Sequence, residues 1–179
     1  MGHTMRAFIA LELPDAFWRE TVDLARQLSL HVDGRFTKRE GYHLTLAFLG
    51  DIDDAEKGLA MDAMDAACAG SEPIALASNG LGKFGRASDA TLWMGVKKND
   101  HLEELTRRIR AELDARSLTY DAKPFRAHIT LARRARLPRT ELPALAFPLD
   151  DVATNVTLFK STLSHEGATY KELYTIELG

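Results

Sequence analysis

The pentapeptide His43-Leu-Thr-Leu-Ala47 returns as His128-Ile-Thr-Leu-Ala132, changed only by one Leu-to-Ile exchange, and this duplication restricts the possible folds more than any other feature of the chain. The surroundings repeat as well. Phe8 precedes His43 by 35 positions, and Trp93 precedes His128 by the same 35. Strand, helix and strand are predicted in that order from Arg6 to Leu49 and again from Thr91 to Arg134. Such a chain should build an α+β fold: two pseudo-twofold lobes of antiparallel strands, helices covering their outer faces, and a central cleft. With 179 residues, 45% of them hydrophobic, it can bury the core of one bilobal domain spanning 5–179. Met1 to Thr4 stand before a second methionine, Met5, and read as an expression remnant, so His3 is set aside.

The individual elements follow from apolar spacing and turn residues. Arg6 to Leu13 reads as a buried strand closed by Pro14, with Asp15 positioned to cap a helix from Ala16 to about Leu30. A short strand over Phe36 to Arg39 precedes a longer one from Tyr42 to Leu49 that stops at Gly50 and Asp51. A second helix is expected from Asp54 to Cys68, and a third begins at Asp100, with Leu102, Leu105, Ile109 and Leu113 on one face. Ile74 to Leu81 reads as extended, Gly82-Lys-Phe-Gly85 as a loop, and Thr91 to Val96 and His128 to Arg134 as strands. After an irregular, proline-punctuated stretch from Leu137 to Pro148, Val156 to Ser164 and Tyr170 to Leu178 form a hairpin across Glu166 and Gly167.

Strand alternation places His43 and Thr45 on one face, with Leu44, Leu46 and Phe48 on the other; His128 and Thr130 likewise lie opposite Ile129 and Leu131. Two imidazoles facing each other across a groove suit general acid-base chemistry, because an ordinary pKa near 6.5 lets each hold or release a proton at neutrality. Thr45 and Thr130 would offer hydroxyls to the oxygens of a phosphoryl group between them. A zinc site would need a third protein ligand, and no Asp, Glu or Cys accompanies either motif at ligand spacing. No Gly-x-Ser-x-Gly elbow supports a serine nucleophile. No metal or other cofactor is expected.

Beyond the pair, Arg133, Arg134 and Arg136 follow the second motif, where a guanidinium fork can grip phosphate. Parity counted from His128 turns Arg134 inward, while a bulge at the strand's end would turn in Arg133 instead; spacing leaves the choice open. Phe48, Phe84 and Phe125 are candidates for stacking on a nucleobase. His31, His101 and His165 lie in no repeated context and are expected at the surface.

Charge and cysteine usage set the surroundings. Against 26 Asp and Glu there are 23 Lys and Arg, so a net charge of -3 creates no global field for long nucleic acid, and contacts with it must be local. The single Cys68 fits a packed helix residue in a reducing cytoplasm. No apolar run reaches the roughly 20 residues of a membrane helix.

The paired motifs resemble the His-x-Thr-x signatures of the two-histidine phosphoesterase superfamily, and in particular its RNA 2',3'-cyclic phosphodiesterase (2'-5' RNA ligase) branch. Met5-Arg-Ala-Phe-Ile-Ala-Leu11, His43 to Gly50 and Phe125 to Arg133 all carry the resemblance. It implies a bilobal fold, metal-independent hydrolysis of an RNA or nucleotide 2',3'-cyclic phosphate to the 2'-phosphomonoester, and a phosphate contact from Arg133. It also implies His43 as proton donor to the leaving 3'-oxygen and His128 as base, with the reverse assignment possible. Ala127 departs from the proline often found before the second histidine. RNA 3' ends or small cyclic nucleotides are the expected partners, for a cytoplasmic monomer without membrane attachment or obligate protein partner. Reversible 2'-5' ligation at the same site is the nearest alternative. A non-catalytic RNA-end binding module and a plain structural domain are more distant ones.

Overall fold

The computed structural model describes residues 3–179; Met1 and Gly2, half of the segment read as an expression remnant, lie outside the described residues. In chain order the elements are β1 (Met5–Glu12), α1 (Asp15–Ser29), β2 (Asp33–Phe36), a 3-10 turn (Arg39–Gly41), β3 (His43–Ile52), α2 (Asp54–Cys68), β4 (Ile74–Leu76), β5 (Ser78–Arg86), β6 (Asp89–Val96), α3 (Asp100–Ala115), β7 (His128–Arg136), β8 (Asp151–Ala153), β9 (Asn155–Ser164) and β10 (Gly167–Glu177). Two four-stranded sheets run in the orders β10-β9-β1-β3 and β2-β7-β6-β5, and a small β4-β8 pair completes the fold. The expected α+β architecture of two antiparallel lobes is present.

The helices begin where the local chemistry allows. Asp53 accepts the Glu56 backbone N–H at 2.8 Å while Glu56 accepts that of Asp53 at 3.1 Å, a capping box that starts α2. Asn99 caps α3 through the Leu102 N–H at 2.8 Å. Asp15 does not cap α1. Pro14 occupies that position without a side-chain bond, and Asp15 lies in the first turn, where its charge complements the helix dipole and pairs with Arg19 at 3.6 Å.

Between sheets and helices lies one continuous core that includes Leu44 and Leu46 of β3 and Ile129 and Leu131 of β7, all fully buried. Truncating any of these to Ala would cost about 2–5 kcal/mol. The lobes are interleaved, since β2 comes from the first half of the chain yet pairs with β7 of the second. Their ladders also differ in register: Glu12 faces His43, but Gly95 faces His128, a slip of two residues despite the equal spacing in sequence. A slip of two is tolerated because side chains alternate with period two and keep their faces.

One irregularity is shared by both lobes and shapes the groove. Thr45 pairs with Ala10 and Ala47 with Ile9, leaving Leu46 as the extra residue; Thr130 pairs with Trp93 and Ala132 with Leu92, leaving Leu131. These are β-bulges one residue past each His-x-Thr. The freed carbonyls find outside partners. Leu46 O accepts from Arg110 Nε and Nη2 at 3.3 and 3.2 Å, and Leu131 O accepts the Thr37 N–H at 2.8 Å.

Segment 82–85 is not a loop but part of β5. The Trp93 ring lies against Gly82 so closely that a Cβ there would come within 2.1 Å of it, so the glycine serves a cross-strand contact rather than a turn.

Candidate active site

The two bulges correct the parity of the strands. Past Leu46, Phe48 turns away from Leu44 and Leu46 and joins His43 and Thr45 at the groove. Past Leu131, the equivalent position is Arg133, which joins His128 and Thr130 there. Arg134, which strict alternation placed inward, takes a left-handed backbone (φ 52°), remains exposed and donates to Asp89 at 3.3 Å. Of the two arginines, Arg133 faces the groove.

His43, Thr45, His128, Thr130 and Arg133 thus line one hollow of about 280 Å³. Eight residues outside the sequence-based set join them. Arg6 enters from β1 with its guanidinium 4.6 Å from the Phe48 ring centre, Phe8, Thr37 and Tyr170 add side chains to the wall, and Gly41, Ser161, Leu163 and Ala168 complete it. Arg6 and Phe8 lie two apart on β1, so strand alternation puts them on one face, a signal the reading of that strand as wholly buried passed over. Nothing local in sequence marked Tyr170. Phe84 and Phe125 line the adjoining hollow, which also includes His128, Thr45 and Phe48. His31, His101 and His165 are exposed as expected.

The two imidazoles have different surroundings. His43 stacks on Phe8 at 4.9 Å and on Phe159 at 5.1 Å, with Tyr170 edge-on at 5.0 Å. Burial in this aromatic cage pushes its pKa down from 6.5 to about 4. His128 meets Phe84 edge-on at 5.3 Å and Trp93 at 5.7 Å, and its Nδ1 lies 2.6 Å from the Arg126 carbonyl oxygen. A carbonyl can only accept, so Nδ1 carries the proton and the neutral ring keeps its lone pair on Nε2. Burial lowers the His128 pKa too; the Arg126 and Arg133 charges act in the same direction and the Arg126 carbonyl opposes them. Among the described residues, no three His, Cys, Asp or Glu side chains converge as a metal site would require. None of the described helices is long and apolar enough to cross a membrane.

Two antiparallel lobes, each presenting a His-x-Thr strand to a shared hollow, define the architecture of the two-histidine phosphoesterases. A family model described as the 2'-5' RNA ligase superfamily matches residues 13–160, and the chain belongs to that family. A protein of Thermotoga maritima named RNA 2',3'-cyclic phosphodiesterase is 28% identical over 176 residues, covering 95% of this chain and 94% of the relative. Another of that name from Geobacillus stearothermophilus is 42% identical over 96 residues, 53% of this chain but only 31% of the relative's length. Among solved structures, E. coli LigT superposes with a TM-score of 0.80 in its apo form, at 26% identity and 98% coverage of both chains. Its complex with 3'-AMP gives a TM-score of 0.82 at 23% identity, over 98% of this chain and 99% of that one.

Proposed function

We propose that the protein hydrolyses 2',3'-cyclic phosphates at RNA 3' ends or on nucleotides, giving the 2'-phosphomonoester without a metal ion. The observation that carries this reading is the convergence of both His-x-Thr pairs and Arg133 on one hollow, together with the fixed tautomer of His128. The names of the curated relatives support the substrate class.

His128 Nε2, free to accept, takes a proton from water as the oxygen attacks phosphorus. The bond from phosphorus to the 3'-oxygen breaks, and His43 delivers a proton to that oxygen, leaving a 3'-hydroxyl and a 2'-phosphate. Charge building on the non-bridging oxygens meets the Thr45 and Thr130 hydroxyls and the Arg133 guanidinium. His43 must be protonated to act, although its cage disfavours charge. An anionic phosphate beside the ring supplies the opposing effect, so substrate binding itself arms the acid.

The site is complete within one chain, which fits a monomer needing no protein partner. The free, buried Cys68 fits a reducing cytoplasm. The deciding experiment is incubation with a 2',3'-cyclic mononucleotide in EDTA. Release of the 2'-phosphomonoester is expected, and abolition of turnover by the chelator would remove the metal-free mechanism.

A further inference from the structure

Four hollows adjoin along the groove, each sharing side chains with the next, and their charge changes from end to end. At one end, flanking His43, the walls hold Glu12, Asp15, Glu40 and Glu172, with Arg19 paired to Asp15 and Arg39 over the Trp18 ring behind them. This hollow meets the catalytic one through His43 and Tyr170. Past the catalytic residues, the hollow flanking His128 is lined by Arg110, Lys123, Arg126 and Arg133 against a single carboxylate, Asp121. Through Phe125 and Arg126 it continues into a fourth hollow that bears both Lys98 and Glu103, so the excess of positive charge lies next to His128.

The cations on the His128 side are not equivalent. Arg110 is a brace: its Nη1 donates to Lys123 O at 2.8 Å while its other nitrogens hold Leu46 O, which ties the loop before β7 to the bulge of β3. Lys123 meets Asp121 only loosely, at 3.9 Å and with both side chains exposed, so a phosphate can replace that partner at little cost. Arg126 lies 5.7 Å from the Trp93 ring centre and, among the described residues, pairs with no carboxylate. Phe84, edge-on to His128 and 41% exposed, presents a ring for a base.

We infer that the RNA strand, its ribose turning back from the 3'-oxygen at His43, leaves the catalytic pair on the His128 side, with its terminal base against Phe84 and its upstream phosphodiesters held by Lys123 and Arg126. This rests on the cyclic phosphodiesterase reading and adds to it a direction and two specificity-determining residues. With Asp15 paired to Arg19, Glu12, Glu40 and Glu172 still leave the His43 side the more acidic one and unfavourable to a second phosphate, so the strand has one favourable exit.

The test compares kcat/KM for 2',3'-cyclic AMP with that for an adenylate tetranucleotide ending in a 2',3'-cyclic phosphate, over a range of salt concentrations. The wild-type enzyme should prefer the tetranucleotide. Two additional phosphate contacts should also steepen its log–log salt slope by about 1.4 relative to the mononucleotide. In the Lys123→Ala, Arg126→Ala double variant, the ratio of tetranucleotide to mononucleotide kcat/KM should fall about tenfold or more. Equal kcat/KM and equal salt slopes in the wild type would overturn the exit path while leaving the phosphodiesterase intact. So would a preference that responds to Glu40→Gln and Glu172→Gln but not to the double variant. Turnover of neither substrate by the wild type would overturn the underlying reading and this inference with it.

Discussion

The lobes are related by sequence and by a shared bulge, yet they give their histidines different environments. One ring sits among Phe8, Phe159 and Tyr170, where an imidazolium is costly; the other has its Nδ1 tied to the Arg126 carbonyl, which fixes the tautomer a base needs. The same bulge position delivers Phe48 in the first lobe and Arg133 in the second. Duplication supplied two equal proton carriers, and the packing around them made the carriers unequal. Each lobe offers the anion one threonine and one arginine, Thr45 and Arg6 from the first and Thr130 and Arg133 from the second, while the tighter aromatic stacking is on His43.

The largest test removes each carrier in turn. His43→Ala and His128→Ala should each lower kcat by roughly 10² to 10⁴. The difference between the lobes should appear in the pH profile. In wild-type kcat/KM, which reports the free enzyme, both limbs should fall below pH 6.5, because burial lowers both histidines. In kcat the alkaline limb should move upward, since bound phosphate favours a protonated His43. Coincident kcat and kcat/KM profiles would break the contrast between a substrate-armed acid and a tautomer-fixed base.

A smaller effect sharpens the contrast between the bulges. Arg133→Ala should reduce kcat/KM for a cyclic mononucleotide by about 10- to 100-fold, the range for losing a hydrogen bond to a charged group. Arg134→Ala should change it less than about twofold, because its side chain is exposed and its contact with Asp89 is a surface ion pair. If the two variants were equally impaired, the inward turn of Arg133 would not be the feature that holds the anion.

The sequence carried the duplicated lobes because a pentapeptide recurs at matched spacing, the facing His-x-Thr pairs because alternation holds over three residues, and the limits of α2 because helical spacing is local. It did not carry the bulges. Leu46 and Leu131 look like ordinary strand leucines, and the groups that accommodate them, Arg110 and Thr37, come from distant parts of the chain. Hence alternation alone misplaced Phe48 and Arg134. Gly82 misled for a related reason, since its role depends on a tryptophan of the neighbouring strand. β8 escaped notice because three residues pairing with β4 leave no periodic signal.

The smallest effect concerns stability, and it tests the cage directly. The His43 pKa is about 4 in the folded protein and near 6.5 when unfolded, so between those values the unfolded chain binds more protons. Stability from this residue is therefore full above pH 6.5 and declines as pH falls toward 4. Replacing His43 by Phe keeps an aromatic ring among aromatic neighbours and removes the titration. The Tm of His43→Phe relative to wild type should rise between pH 7.5 and pH 5 by roughly 2–6 °C, corresponding to about 1–2 kcal/mol. Carboxylates that titrate in the same window do so in both proteins and cancel in the difference. A Tm difference that stays constant with pH would mean that the ring is hydrated, and the chemical inequality of the two lobes would then have to come from the Arg126 carbonyl alone.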